Sequence, residues 1–149
     1  MIRATPAALY AAFMDPAVLV TWLPPGGMTG RIDAFDARVG GGYAMSLFYP
    51  PDDRSGRGKT RANEDRAHVR FVELLPGKRI VEAVTFEAAD PSLAGEMIIT
   101  ITFAPVAGGA RTPATEVTFL CENLPPGLKP EDNAEGTRLS LEQLARRFA

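Results

Sequence analysis

Three consecutive glycines, Gly40-Gly41-Gly42, separate the β-like run Phe35-Asp36-Ala37-Arg38-Val39 from a second run opening at Tyr43. Glycine reaches positive φ and has no Cβ, so this triplet lets the backbone turn sharply or bulge between two apolar strands. Just upstream, Trp22-Leu23-Pro24-Pro25-Gly26-Gly27 stops whatever precedes it. These two segments set an architecture and not a reaction. The glycines are not a phosphate loop, because no helix and no Lys-Ser/Thr pair follow them.

The punctuation elsewhere divides the chain into elements. Thr5-Pro6 reads as an N-cap followed by proline at the first helical position, predicting a helix from about Pro6 to Met14 with Leu9, Ala12 and Phe13 inward. Asp15-Pro16 repeats the signal and opens a second short helix ending near Trp22; Ile2 to Ala4 is left as the stub of a strand. Strands are expected at Met28–Phe35, Tyr43–Tyr49, about Thr60–Leu74, Arg79–Glu87, Glu96–Phe103 and Thr115–Glu122. Leu75-Pro76-Gly77-Lys78 places proline and glycine at the centre of a type II turn. Short connections between consecutive strands imply an antiparallel meander.

Pro130 begins a long terminal helix reaching about Phe148, whose facing positions are read as Ala134, Thr137, Leu141, Leu144 and Phe148. That stripe is small or polar at its start and bulky at its end. A helix sealing a filled core keeps bulk along its whole stripe, so the thin first half predicts space beneath it. Gly136, inside the helix, points to a close approach or a bend.

With 149 residues, 46% of them hydrophobic, the chain is expected to form one domain, 1–149, burying about 68–70% of its unfolded surface. A net charge of −2 supplies no electrostatic footprint for nucleic acid. The single Cys121 excludes an intrachain disulfide and suits a reducing cytoplasm. The apolar stretch Ala7–Met14 is far short of the ~20 residues that cross a bilayer, so no membrane span is expected.

Ala7-Ala8-Leu9-Tyr10-Ala11-Ala12-Phe13 with Asp15-Pro16, Trp22 before Pro24-Pro25-Gly26-Gly27, the block Phe35 to Tyr43, Glu73-Leu74-Leu75-Pro76-Gly77-Lys78-Arg79-Ile80-Val81 and Glu131 to Gly136 together carry a resemblance. Over nearly its whole length the chain resembles the START-like, or SRPBCC helix-grip (Bet v-type), superfamily, and within it the activator of Hsp90 ATPase homologue-like family. The resemblance implies an α+β fold: a curved antiparallel sheet of about six to seven strands wrapped around a long C-terminal helix, with two short helices after the first strand. It also implies an apolar pocket between sheet and helix. Relatives bind lipids, hormones or polyketides, a few are cyclases or hydrolases, and the eukaryotic namesake stimulates a chaperone; fold alone does not choose among these. Two departures stand out. The chain starts only a few residues before its first helix, and Thr137 stands where the family commonly has Trp, which should enlarge a cavity or alter its mouth.

Among ionisable residues, Glu82 carries the most interest. Alternation places it on one face with Ile80, Val84 and Phe86; if that face is inward, its pKa rises and it becomes an acid, a base or a ligand anchor, whereas if Val81, Ala83 and Thr85 face inward it is solvated. His68 is the lone histidine, without a partner at metal-ligand spacing, and alternation with Ala67, Val69 and Phe71 leaves it outside. Cys121, on a face with Val117 and Phe119, reads as an inert thiol. Trp22 and Tyr43 either line a pocket or pack in the core. Asp36 and Arg38 brace the glycine turn as an ion pair or present Arg38 to a ligand carboxylate. Arg54, Arg57, Lys59, Arg61 and Arg66, offset by Asp52, Asp53, Glu64 and Asp65, read as a solvated loop. Ser46, Ser92 and Ser140 sit in no nucleophile-elbow pattern.

These readings converge on a small-molecule binding protein holding an apolar or amphipathic ligand between sheet and C-terminal helix. Its candidate lining is Trp22, Tyr43, Tyr49, Glu82, Phe119, Thr137 and Leu141, with no catalytic residue assigned and no cofactor or metal expected. A cyclase- or hydrolase-type enzyme using the same cavity, and an Hsp90-type ATPase activator-like interaction protein, are the alternatives. A homodimer and a chaperone partner are left open.

Overall fold

The structure is a computed structural model that describes residues 1–51, 58–106 and 113–148. Two helices open it, α1 (Pro6–Met14) and α2 (Pro16–Trp22). The Thr5 side chain accepts from the Ala8 N–H at 3.1 Å, and the Asp15 carboxylate accepts from the Ala17 N–H at 3.0 Å. Asp15 is extended, so one residue ends α1 and caps α2. Strands β1 (Thr29–Asp36), β2 (Gly42–Phe48), β3 (Glu64–Leu75), β4 (Arg79–Glu87), β5 (Met97–Pro105) and β6 (Thr115–Glu122) follow, then α3 (Pro130–Arg147). The strands pair in sequence order, each antiparallel to the next. A single 3₁₀ turn, Pro91–Leu93, interrupts the path from β4 to β5.

The two short helices precede β1 rather than following a first strand, which corrects that part of the fold expected from the resemblance. What stands before α1 is one isolated bridge: Ile2 and Thr115 exchange two backbone hydrogen bonds, both 2.8 Å. Thr5 is committed to capping α1 and Pro6 has no N–H to give, so the chain must leave the edge of β6 after Ala4.

Glycine acts where its missing Cβ is needed. A Cβ on Gly42 would lie 1.8 Å from the Val69 carbonyl oxygen, and one on Gly41 would lie 2.5 Å from the Asp36 carbonyl oxygen. Asp36 and Arg38 form an exposed ion pair at 2.7 Å beside this turn. At the β3–β4 hairpin Gly77 has φ +71° and the Lys78 N–H donates to the Leu75 carbonyl at 2.9 Å, as the type II reading requires. β3 starts at Glu64 instead of about Thr60, because Arg61 and Glu64 close a tight turn on each other first.

The core gathers on the helix-covered face of the sheet, with Phe71, Ile80, Ile101 and Phe103 meeting Leu9, Phe13, Trp22 and Leu144 from the helices. Phe13 packs edge-to-face against both Trp22 and Phe103, at centroid distances of 4.7 and 5.3 Å. On α3 the facing stripe differs from expectation at its start: Ala134 is exposed, and Asn133, Gly136 and Ser140 turn toward the sheet beside the expected Thr137. Leu144 is fully buried, and Leu141 and Phe148 pack half-buried on the core. Nothing lies within 4 Å of a Cβ built on Gly136, so no close approach explains that glycine.

Candidate functional site

Between the inner sheet face and the first half of α3 lies a cavity of about 850 Å³. That is at the upper end of volumes that hold a drug-sized molecule. Alternation builds its floor: Tyr43 and Met45 from β2, Val69 from β3, Glu82 and Val84 from β4, Ile99 and Ile101 from β5, and Phe119 from β6. Phe13 and Leu19 close one side, and Asn133, Gly136, Thr137 and Ser140 form the roof. The roof is thin for the reason visible in its residues. Glycine and short polar side chains cannot reach the floor, and the two polar groups with known partners are satisfied close to the helix: the Thr137 hydroxyl donates to the Asn133 carbonyl at 2.9 Å and the Ser140 hydroxyl to the Leu23 carbonyl at 2.6 Å.

Glu82 stands in the middle of this floor. Its register partners are Phe71 on β3 and Ile99 on β5, and its neighbours along the face, Ile80 and Val84, are buried. The residue is 7% exposed, and burial alone, with no hydrogen bond or opposite charge, sets the state of its carboxyl. Burial pushes that carboxyl up to about 7, because the apolar surroundings penalise its charged form. Of the two orientations open from sequence, the one sharing a face with Ile80, Val84 and Phe86 is the one formed. Tyr43 stacks on Phe35 at 5.2 Å, and burial, then the nearby Glu82 charge, hold its phenol well above the usual tyrosine range. An acid and a phenol thus share an otherwise apolar floor.

A second polar group sits at one end of the cavity. Asp65 accepts from the Tyr49 hydroxyl at 2.8 Å, from the Lys59 backbone N–H at 2.6 Å and from Lys59 Nζ at 3.1 Å. The Lys59 ammonium also lies 5.4 Å from the Phe86 ring centroid. This corrects the reading of the charged stretch as a solvated loop: Glu64 and Asp65 are buried, and Arg66 is held by Asp33, Ser46 and Glu87. Counting charges misses it because β3 begins at Glu64, so pleating, not polarity, turns Asp65 inward. Arg54, Arg57, Asp52 and Asp53 lie outside the described residues.

Of the seven residues read as candidate lining, Tyr43, Tyr49, Glu82, Phe119 and Thr137 are on the cavity wall. Trp22 is not; it is 1% exposed and spends its indole N–H on the Ala12 carbonyl at 3.1 Å, bracing α1 against α2. Leu141 packs on the core beyond the cavity's end. Ser140 and Asp65 are wall residues that sequence reasoning passed over, since a lone polar residue carries no sign of the face it occupies. His68 is exposed, its Nε2 3.8 Å from a Glu87 carboxylate oxygen, and Cys121 is a half-buried free thiol. Among the described residues no group of three His, Cys, Asp or Glu side chains is placed to hold a metal, and no helix is long and apolar enough to cross a membrane.

Residues 3–149 match the family described as Activator of Hsp90 ATPase homolog 1-like protein. The chain belongs to this family. No curated protein matches this member of the Hsp90 ATPase activator homolog-like family. Solved structures of similar proteins do: protein CV1439 from Chromobacterium violaceum is 34% identical, with 99% of this chain and 91% of that one covered and a TM-score of 0.82. Protein Mll3558 from Rhizobium loti is 25% identical, covering 97% and 90% of the two chains at a TM-score of 0.66. A Rhodobacter sphaeroides protein with 20% identity, 99% and 86% coverage and a TM-score of 0.75 shares the fold. The architecture is accordingly that of the SRPBCC helix-grip proteins.

Proposed function

We propose that this Hsp90 ATPase activator homolog-like protein binds an apolar or amphipathic small molecule in the cavity between the sheet and α3. The observation that carries this reading is the cavity itself: about 850 Å³, floored by apolar side chains, with the Tyr43 phenol and the Glu82 carboxyl as its central polar points. A small set of convergent polar groups in an apolar space is how small-molecule sites fix orientation. The helix-grip fold, which typically takes small apolar ligands, supports the same reading by analogy.

Protein purified from its host should carry a lipid-like mass in native mass spectrometry, or a hydrophobic dye should bind it stoichiometrically and be displaced by competitors. Repeated failure of both removes the proposal.

One observation favours a second reading, an enzyme of the cyclase or hydrolase type. A carboxyl held near pH 7 inside a cavity is suited to giving and taking a proton at neutral pH. On that reading Glu82→Gln abolishes turnover of an identified substrate while leaving its binding intact. A chaperone-linked role rests on the family's description alone. An Hsp90-type ATPase whose rate stays constant at saturating protein would exclude it.

A further inference from the structure

The balance of charge around the cavity says which head group the ligand carries. Five carboxylates face it, Asp65, Glu82, Asp90, Asp132 and Glu135, of which Asp65 is held by Lys59 and Glu135 by Arg138. Two cations do, Lys59 and Lys129, and Lys59 is already held by Asp65. Lys129 directly precedes α3, at the rim. The N-terminus of α3 adds about half a positive charge there, which Glu131 and Asp132 in its first turn offset. On the floor itself the one carboxyl is Glu82, 7% exposed, with no hydrogen bond or opposite charge acting on it and on the wall of the space.

An anionic head brought to this floor meets a like charge in a medium of low dielectric, where repulsion is strongest. A neutral head leaves the carboxyl as it was. A cationic head supplies the charge-assisted partner that Glu82 lacks, and the Tyr43 oxygen on the same floor, near enough to feel the Glu82 charge, offers a second acceptor for the remaining N–H bonds. The usual objection to a buried ion pair is the cost of desolvating both members. Here one member is desolvated by folding whether or not a ligand arrives.

Building on the cavity reading, we propose that the ligand is a basic amphiphile, an amine on an apolar body, whose ammonium pairs with Glu82 while the body fills the space under α3. Fatty-acid-like carboxylates are the wrong class for this site.

The test compares decylamine, decanol and decanoate, below their micelle concentrations, as competitors for a bound hydrophobic dye. At pH 8 the amine should compete about tenfold or more better than the alcohol, and the carboxylate worst. Lowering the pH to 5 protonates Glu82 and should erase the amine's advantage. The other titratable groups on the wall, Tyr43, Tyr49, Lys59, Asp65, Asp90, Lys129, Asp132 and Glu135, are shared with Glu82→Gln, so loss of the preference in that variant assigns it to Glu82. An alcohol or carboxylate that binds as tightly as the amine overturns the proposal, as does an amine preference that survives in Glu82→Gln, which would place it on the rim acids. Equal binding of all three strikes this inference alone; no binding of dye or competitors removes the cavity reading and this one with it. The head-group series and pH profile of the unaltered protein decide the matter even if the variant folds poorly.

Discussion

Gln143, on the C-terminal helix, holds the carbonyl of Trp22, 121 residues earlier, at 2.6 Å through its Nε2. The same nitrogen donates to the Pro24 carbonyl at 2.8 Å, and its Oε1 accepts from the Gly26 N–H at 3.0 Å. The turn after α2 has three backbone groups with no helical partner, and one amide satisfies them. This fastens the roof of the cavity at the point where α3 stops lying over open space. Gln143→Ala should therefore destabilise the protein by about 1–3 kcal/mol, since part-buried backbone groups lose their partners. Equilibrium urea unfolding measures it; a midpoint unchanged from the parent would mean water replaces the amide without loss.

Glycines two residues apart should differ sharply in tolerance. Gly40 has φ +83° but open space around it, so Gly40→Ala is expected to cost about 1–2 kcal/mol from backbone conformation alone. In Gly42→Ala the positive φ of +153° is unfavourable as well and the new methyl meets the Val69 carbonyl across the β2–β3 pairing, so the cost should reach at least ~3 kcal/mol. Parallel denaturation curves of the two variants decide whether close approach adds to the cost of a positive φ; equal costs would refute the distinction.

Burial of Glu82 makes stability depend on pH in a predictable direction. Its carboxyl is held at about 7 in the fold against an ordinary value of 4.5, so between these limits the folded protein binds the proton that the unfolded chain has released. Stability from this group is fully present below pH 4.5, falls as pH rises, and has been lost once pH passes about 7. The loss is on the order of 3 kcal/mol. Surface carboxylates act oppositely: hydrogen bonds from Arg66 to Asp33, from Ser92 to Asp90 and from Arg138 to Glu135 lower their values. They are common to the parent and Glu82→Gln, so the difference between the two proteins isolates Glu82. That difference should favour the variant increasingly from pH 5 to pH 8, and a constant difference would contradict the assigned burial.

Thr137 offers a way to fill the cavity without touching its floor. Thr137→Trp puts an indole where the roof is thin. Dye affinity should fall about tenfold or more while the unfolding midpoint holds or rises, because the added ring occupies space that is otherwise unfilled. Unchanged dye binding would place the bound molecule elsewhere.

Much of this protein was legible from its residues because the relevant forces act over three or four positions. Thr5-Pro6 and Asp15-Pro16 set where α1 and α2 begin, Pro76-Gly77 sets the β3–β4 turn, and β4, β6 and both short helices fall where their residues predict. The uneven composition of α3 foretold a gap beneath it. Tertiary structure decided which face of each element meets the core. Glu82 faces inward because pairing with Phe71 and Ile99 fixes its register, and a slip of one residue would have left it in water. Rotation of α3 about its axis, settled by Leu144 below and by Ser140 and Gln143 against the end of α2, exposes Ala134 and turns Asn133 inward. The same packing seals Trp22 inside and brings Asp65 to the wall. Local chemistry determines where an element starts and stops, whereas its inward side depends on partners distant in the chain, which no short stretch of residues encodes.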